Sequence, residues 1–237
     1  MYSKTRSALS HSELSVLRLT NHYGMSVVEV VHRLPELNGH SSKSIQRLLG
    51  RLVRRRLLTE AWLFAGRRCY LLAAAGFRAI MDPETSRPFG NRSLSEESKI
   101  RRFAMLSFCY LGRTVRMRIN PSVTQDASTD LGSALVTGSY YMQPGNSTVY
   151  GFLRVDMGGD GRWDRVVAKC ADDARRIKTS DAWKAHIAAE HFEITIATAL
   201  PHKAERLSRA LGNNPAELPV RIAVIPDLLQ LIAPLPK

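Results

Sequence analysis

The sequence predicts an α/β (α+β) protein in two domains, and three observations carry that prediction. Residues 41–70, SSKSIQRLLGRLVRRRLLTEAWLFAGRRCY, pass from a helical apolar period into β-rich runs, a helix followed by a hairpin. Two shorter helical stretches precede them, so residues 10–72 hold three helices and a hairpin, the layout of a winged helix-turn-helix. Beyond residue 90, β-rich runs alternate with amphipathic helices, which suits a mixed α/β sheet covered by helices. The predicted domains are 1–90 and 91–237.

In chain order, Ser10 or Ser12 caps a first helix over 13–22, with Leu14, Leu17 and either Val16 or Leu19 facing inward, and Gly24 ends it. Ser26 caps a short second helix over 27–34, and Pro35-Glu36-Leu37-Asn38-Gly39 turns the chain. Ser41 or Ser42 caps the third. In it Ile45, Leu48, Leu49, Leu52 and Val53 follow the i, i+3, i+4, i+7, i+8 series of one buried face. At ~100° per residue the opposite face collects Lys43, Arg47, Gly50, Arg51 and Arg54. Runs 58–64 and 69–72 form the hairpin, joined by Ala65-Gly66-Arg67-Arg68 as a doubly basic tip. A helix over 73–81 closes the domain, and residues 82–91, with two prolines and one glycine, read as a linker.

In the second domain Ser93 or Ser95 caps an amphipathic helix through Leu111, with Ile100, Phe103, Ala104, Leu106 and Phe108 as its apolar surface. Runs 115–119, 134–143 and 149–157 suggest a three-strand meander. Gly158-Gly159-Asp160-Gly161 turns the chain into a helix over 162–176, whose Trp163, Val166, Val167 and Cys170 share a face, and a further helical piece covers 181–189. Residues 193–199 read as an apolar strand, 203–211 as a helix and 220–225 as a last buried strand.

Charge narrows the functional classes. The formal net charge is +13, and thirteen basic against four acidic residues fall within the first 81 positions, a balance of +9. That asymmetry points to a polyanion partner for the N-terminal domain. A helix with arginine on its outer face is commonly no more than a solvated helix. Here, however, no acid lies between Glu36 and Glu60 to offer an i,i+4 partner, and the hairpin repeats the same sign. The expected partner is double-stranded DNA. Lys43, Ser44, Gln46, Arg47, Arg51 and Arg54 would divide base edges and phosphates in the major groove, and Arg67 and Arg68 would grip flanking backbone. A homodimer would read half-sites about one helical turn apart. The three cysteines, Cys69, Cys109 and Cys170, are odd in number and far apart, which fits a reducing cytoplasm. No run approaches the ~18 apolar residues of a membrane span, and the N-terminal MYSKTRSALSHSE has no apolar signal core.

A winged helix joined to an α-β-β-β-α-β domain, with RVDMGGDGRWDRVVAKCADDARR, an apolar strand and PHKAERLSRAL, resembles the replication-relaxation family of plasmid and integrative-element proteins. It also resembles the MOB-C class of plasmid mobilisation proteins, whose C-terminal domain is similar to the PD-(D/E)XK, restriction-endonuclease-like fold. The resemblance implies binding at a transfer or replication origin or promoter, partners among transfer or replication proteins, and an alternative role as a metal-dependent DNA relaxase or nickase. Such a nuclease holds Mg²⁺ between strand carboxylates with a lysine nearby. The residues matching that pattern here are Asp130 (or Asp126), Asp156 and Lys169, with Asp160 a further acid. Arg154 stands where these families place an acid, so the set is incomplete and no resident cofactor is expected unless the nuclease-like site works.

Other chemistries are weaker. Tyr140-Tyr141 resembles the tandem tyrosines of some relaxases but lacks their histidine motif, and neighbours on a strand point to opposite faces, so one of the two belongs to the core. His186 and His191 stand about 140° apart on a helix and do not share a metal. The GGDG turn lacks the G-K-[ST] of a phosphate loop. Trp62, Trp163 and Trp183 lie in apolar patterns and are expected in the core or an interface.

Overall fold

The computed structural model describes residues 8–64, 66–80, 94–112, 114–119, 138–158, 163–212 and 218–232. The chain is mixed α/β and divides into two units, Met1–Ser93 and Leu94–Lys237.

In the first unit, α1 (His11–Tyr23) starts in a capping box. The Ser10 hydroxyl accepts from the Glu13 N–H, and the Glu13 carboxylate accepts from the Ser10 N–H. Gly24, at φ 74°, ends the helix in the left-handed conformation that glycine tolerates. The second helix is shorter than predicted: α2 spans Val28–Val31, followed by a 3-10 turn at Pro35–Leu37. Ser26 does not cap it. Its backbone exchanges two 2.9 Å hydrogen bonds with Tyr70, and its hydroxyl accepts from Thr20, so it serves as a short pairing segment beside the hairpin. Ser41 caps α3 (Ser42–Arg54), which buries Ile45, Leu48, Leu49 and Leu52. Strands β1 (Leu58–Phe64) and β2 (Arg67–Leu72) pair antiparallel. The tight end of this hairpin corrects the expected basic tip. Phe64 pairs with Arg67 and Gly66 takes φ 75°, so both arginines belong to β2, with Arg68 opposite Trp62. Helix α4 (Ala74–Ile80) presents Gly76 to the chain before β1, where a Cβ would lie 2.1 Å from the Leu57 carbonyl oxygen.

In the second unit, α5 (Glu96–Tyr110), capped by Ser95, precedes β3 (Arg116–Arg118), β4 (Ser139–Met142) and β5 (Val149–Val155), an antiparallel meander. Helices α6 (Trp163–Thr179) and α7 (Asp181–Ala188) then carry the chain to β6 (Phe192–Thr198), parallel to β5. Helix α8 (Pro201–Gly212) carries it on to β7 (Val220–Val224), parallel to β6, and α9 (Leu229–Ile232) follows. The five-strand sheet has the order β3-β4-β5-β6-β7. One face packs Phe152, Ile194 and Ile196 against Cys170, Ala174 and Ile177 of α6, Trp183 of α7 and Leu207 of α8. The other meets α5, where Phe108 stands edge-on to Tyr140 at 4.9 Å. Tyr140 is the core member of the tyrosine pair. Its ring crosses Gly151, where a Cβ would sit 2.3 Å from Cζ, and its hydroxyl reaches Glu193 Oε1 (2.7 Å) and Thr195 Oγ1 (2.8 Å). The predicted burial of the last strand does not hold: among the described residues β7 has a single neighbouring strand, and Val224 is 40% exposed. Among the described residues no helix is long and apolar enough to cross a membrane.

Candidate nucleic-acid interface

The buried stripe of α3 fixes which side chains it turns outward. Lys43, Gln46, Arg47, Arg51 and Arg54 are exposed, while Ser44 is half-buried and shares a 3.0 Å hydrogen bond with the capping Ser41. Arg47, Arg51 and Arg54 line one side of a groove of about 590 Å³, with Ser10, Ser12 and His40 also on its walls. Lys43, Arg47 and Arg54 have no ion-pair partner among the described residues. Arg51 has one that the local sequence did not suggest. Glu13 of α1, with a side chain only 6% exposed, lies 3.2 Å from Arg51 Nε and 3.0 Å from Arg55 Nη1. Burial pushes the Glu13 carboxyl up, but the Ser10 N–H and the Arg55 and Arg51 guanidiniums outweigh it, so its pKa falls below the usual glutamate value. Glu13 is thus a charged strut between the start of α1 and the exposed face of α3.

The hairpin arginines are more committed than their expected place at a free tip implied. Arg67 is largely buried, 3.2 Å from Glu29 and beside the Phe64 ring. Arg68 is half-exposed, 2.6 Å from Glu60, with its guanidinium 4.9 Å from the centre of the Trp62 ring. Trp62 itself is 60% exposed, so it is not a core residue; it stands on the outer face of the hairpin under a cation.

The acids and lysine implied for metal chemistry are not brought together among the described residues. Asp130, Asp126 and Asp160 lie outside them. Asp156, at the end of β5, is buried with both oxygens occupied: Oδ1 accepts from the Gly158 N–H (3.0 Å), and Oδ2 from Thr198 Oγ1 (3.0 Å) and Lys203 Nζ (2.8 Å). Lys203 also donates to the Gly158 carbonyl (2.7 Å) and is fully buried. A carboxylate saturated by an ammonium, a hydroxyl and an amide does not fit a Mg²⁺ ligand, and no three His, Cys, Asp or Glu among the described residues form a metal-holding group. Lys169 is exposed on α6, and the lysine that reaches Asp156 is Lys203, in the first turn of α8. Its signal was a lysine four residues before buried Leu207, on the apolar stripe of an amphipathic helix. Arg154, in the position of the expected acid, is ion-paired with Asp173 of α6. Burial raises the Asp173 carboxyl despite that guanidinium, and pushes the neighbouring Cys170 thiol up to about 11.

Tyr141 is half-buried, with its hydroxyl on Met117 Sδ at 3.0 Å. His186 packs on Tyr150 at 4.3 Å and His191 donates its N–H to the His186 carbonyl, an ordinary helix ending. Trp183 is buried as expected, whereas Trp163 is 41% exposed. A scan against protein-family models finds no match to this chain, and a search of curated proteins finds none either.

Proposed function

We propose that the protein is a sequence-selective double-stranded DNA-binding protein whose N-terminal unit acts as a winged helix-turn-helix. The observation that carries this reading is the outer face of α3. Lys43, Gln46, Arg47, Arg51 and Arg54 project from a helix whose other face is buried, and three of the four cations lack an acid to neutralise them among the described residues. An arginine fork on guanine or Gln46 on adenine discriminates by about 1–3 kcal/mol per base. Arg68 is the hairpin cation left at the surface for flanking phosphate, and Arg67, tied to Glu29, holds the hairpin's shape. The resemblance to mobile-element proteins supports action at a transfer or replication origin or promoter. In this proposal the C-terminal unit, a five-strand mixed sheet that we take to be restriction-endonuclease-like, works as a scaffold, because Asp156 is spent on Lys203.

The test is selection of bound sites from random duplexes, followed by anisotropy titration with the chain carrying Arg47→Ala, Arg51→Ala and Arg54→Ala. The expected outcome is a site preference in the parent and loss of at least about a hundredfold in specific affinity in the variant, from three contacts of this kind. An enriched site bound equally by both proteins refutes the assignment. Incubation with supercoiled DNA and Mg²⁺ tests the nickase alternative: Asp156-dependent conversion to open circles would establish it.

A further inference from the structure

Trp163 continues the stripe that Val166, Val167 and Cys170 turn toward the sheet, yet it is 41% exposed. It lines an open recess of about 430 Å³ with Arg206, Arg209 and Ala210 of α8. Arg206 has no ion-pair partner among the described residues, and Arg209 has only a 3.8 Å contact with exposed Glu205, which water and salt screen. Both supporting helices are firmly seated. Cys170 and Leu207 are fully buried, Asp173 ties α6 to Arg154, and Lys203 ties α8 to Asp156. An aromatic face and two guanidiniums one turn apart are therefore held on fixed elements, with no strong neutralising acid between them among the described residues.

We propose that this recess binds an unpaired stretch of DNA, with one base stacked on the Trp163 indole and flanking phosphates on Arg206 and Arg209. An indole with a free face recruits a base that has lost its own stacking partner, which a duplex does not offer, and the two cations complement the strand's charge. Stacking of this kind tolerates any base, so the recess grips without reading sequence. It is a second contact, of a different kind from that of α3 and independent of it.

The test uses the full chain and a labelled oligothymidine, titrated by anisotropy at several salt concentrations alongside a duplex. Trp163→Ala is expected to weaken oligothymidine binding about tenfold, with Trp163→Phe retaining most of the affinity. Arg206→Ala with Arg209→Ala is expected to shallow the salt slope by about 1.4, the share of two phosphates on a single strand. Duplex affinity stays within about twofold in each, and the α3 triple variant still binds the oligonucleotide. Unchanged oligothymidine affinity and salt slope in these variants overturns the proposal, whether the strand is held by α3, by another surface or not at all. If Trp163→Ala does not fold, the two solvent-facing arginine substitutions decide alone. A duplex site bound equally by the parent and the α3 triple variant, with the Trp163 effect intact, sinks the reading of α3 and leaves this one standing.

Discussion

In the N-terminal unit Lys43, Arg47 and Arg54 stand in water without an ion-pair partner among the described residues, whereas in the C-terminal unit Arg154, Lys203 and Arg221 are each spent on a buried carboxylate. Asp173, Asp156 and Glu193 are those carboxylates, and each ties one element of the sheet layer to another. The same residue types therefore do opposite work. Where the charge meets a buried acid it fixes the fold, and where it is exposed and unmatched it is free for a partner. A formal charge of +13 does not distinguish these uses; the positions of the acids do.

The contrast breaks most visibly at the buried pair. Asp156→Ala leaves the Lys203 ammonium without its counter-charge inside the protein, and denaturant unfolding should show a loss of about 3–5 kcal/mol. Adding Lys203→Met should recover a substantial part, and a stable single variant would mean the pair is not structural. Next in size is Gly151→Ala. Its Cβ would meet the Tyr140 ring at 2.3 Å, so overpacking should cost about 1–3 kcal/mol, and markedly less in a Tyr140→Leu background. The smallest of the three is Glu13→Gln, which keeps the capping box but drops the charge that holds Arg51 and Arg55, about 1–2 kcal/mol at neutral pH. Its pH dependence has a definite sign. The folded Glu13 carboxyl titrates below its ordinary 4.5, so its stabilisation is fully present above that value and disappears as pH falls through the lower folded value. Thermal melts of parent and variant should accordingly converge on acidification, and parallel curves would assign the strut no electrostatic role.

Much of the architecture was legible because it is periodic. The α3 stripe, the β-rich run of β5 and the serine caps, each narrowed to two nearby serines, are local patterns in which neighbours in sequence specify the structure. What escaped was set by distant partners. Ser26 looked like a cap, but its backbone answers to Tyr70. Arg67 and Arg68 looked like a tip until the Phe64–Arg67 pairing drew them into the strand. Trp163 shares the core period of α6, yet as the helix's first residue it is 41% exposed, so periodicity alone assigned it inward. The arginines of α3 were visible as a stripe, while the hold of Glu13 on Arg51 joins residues far apart in the chain and has no local signature. Lys203 could be noticed as a lysine on an apolar stripe, but its partner could be named only once β5 and β6 lay side by side.

The Asp156 clamp also sets an order of events in time. Its bonds to Thr198 and from Lys203 to Gly158 join positions 42 and 45 residues apart, across a parallel strand pair whose connection runs through α6 and α7. Such contacts form only after the intervening chain has closed, which places them late on the folding route. Weakening the clamp should then leave the refolding rate nearly unchanged and speed unfolding, so that it acts as a catch on the lifetime of the native state.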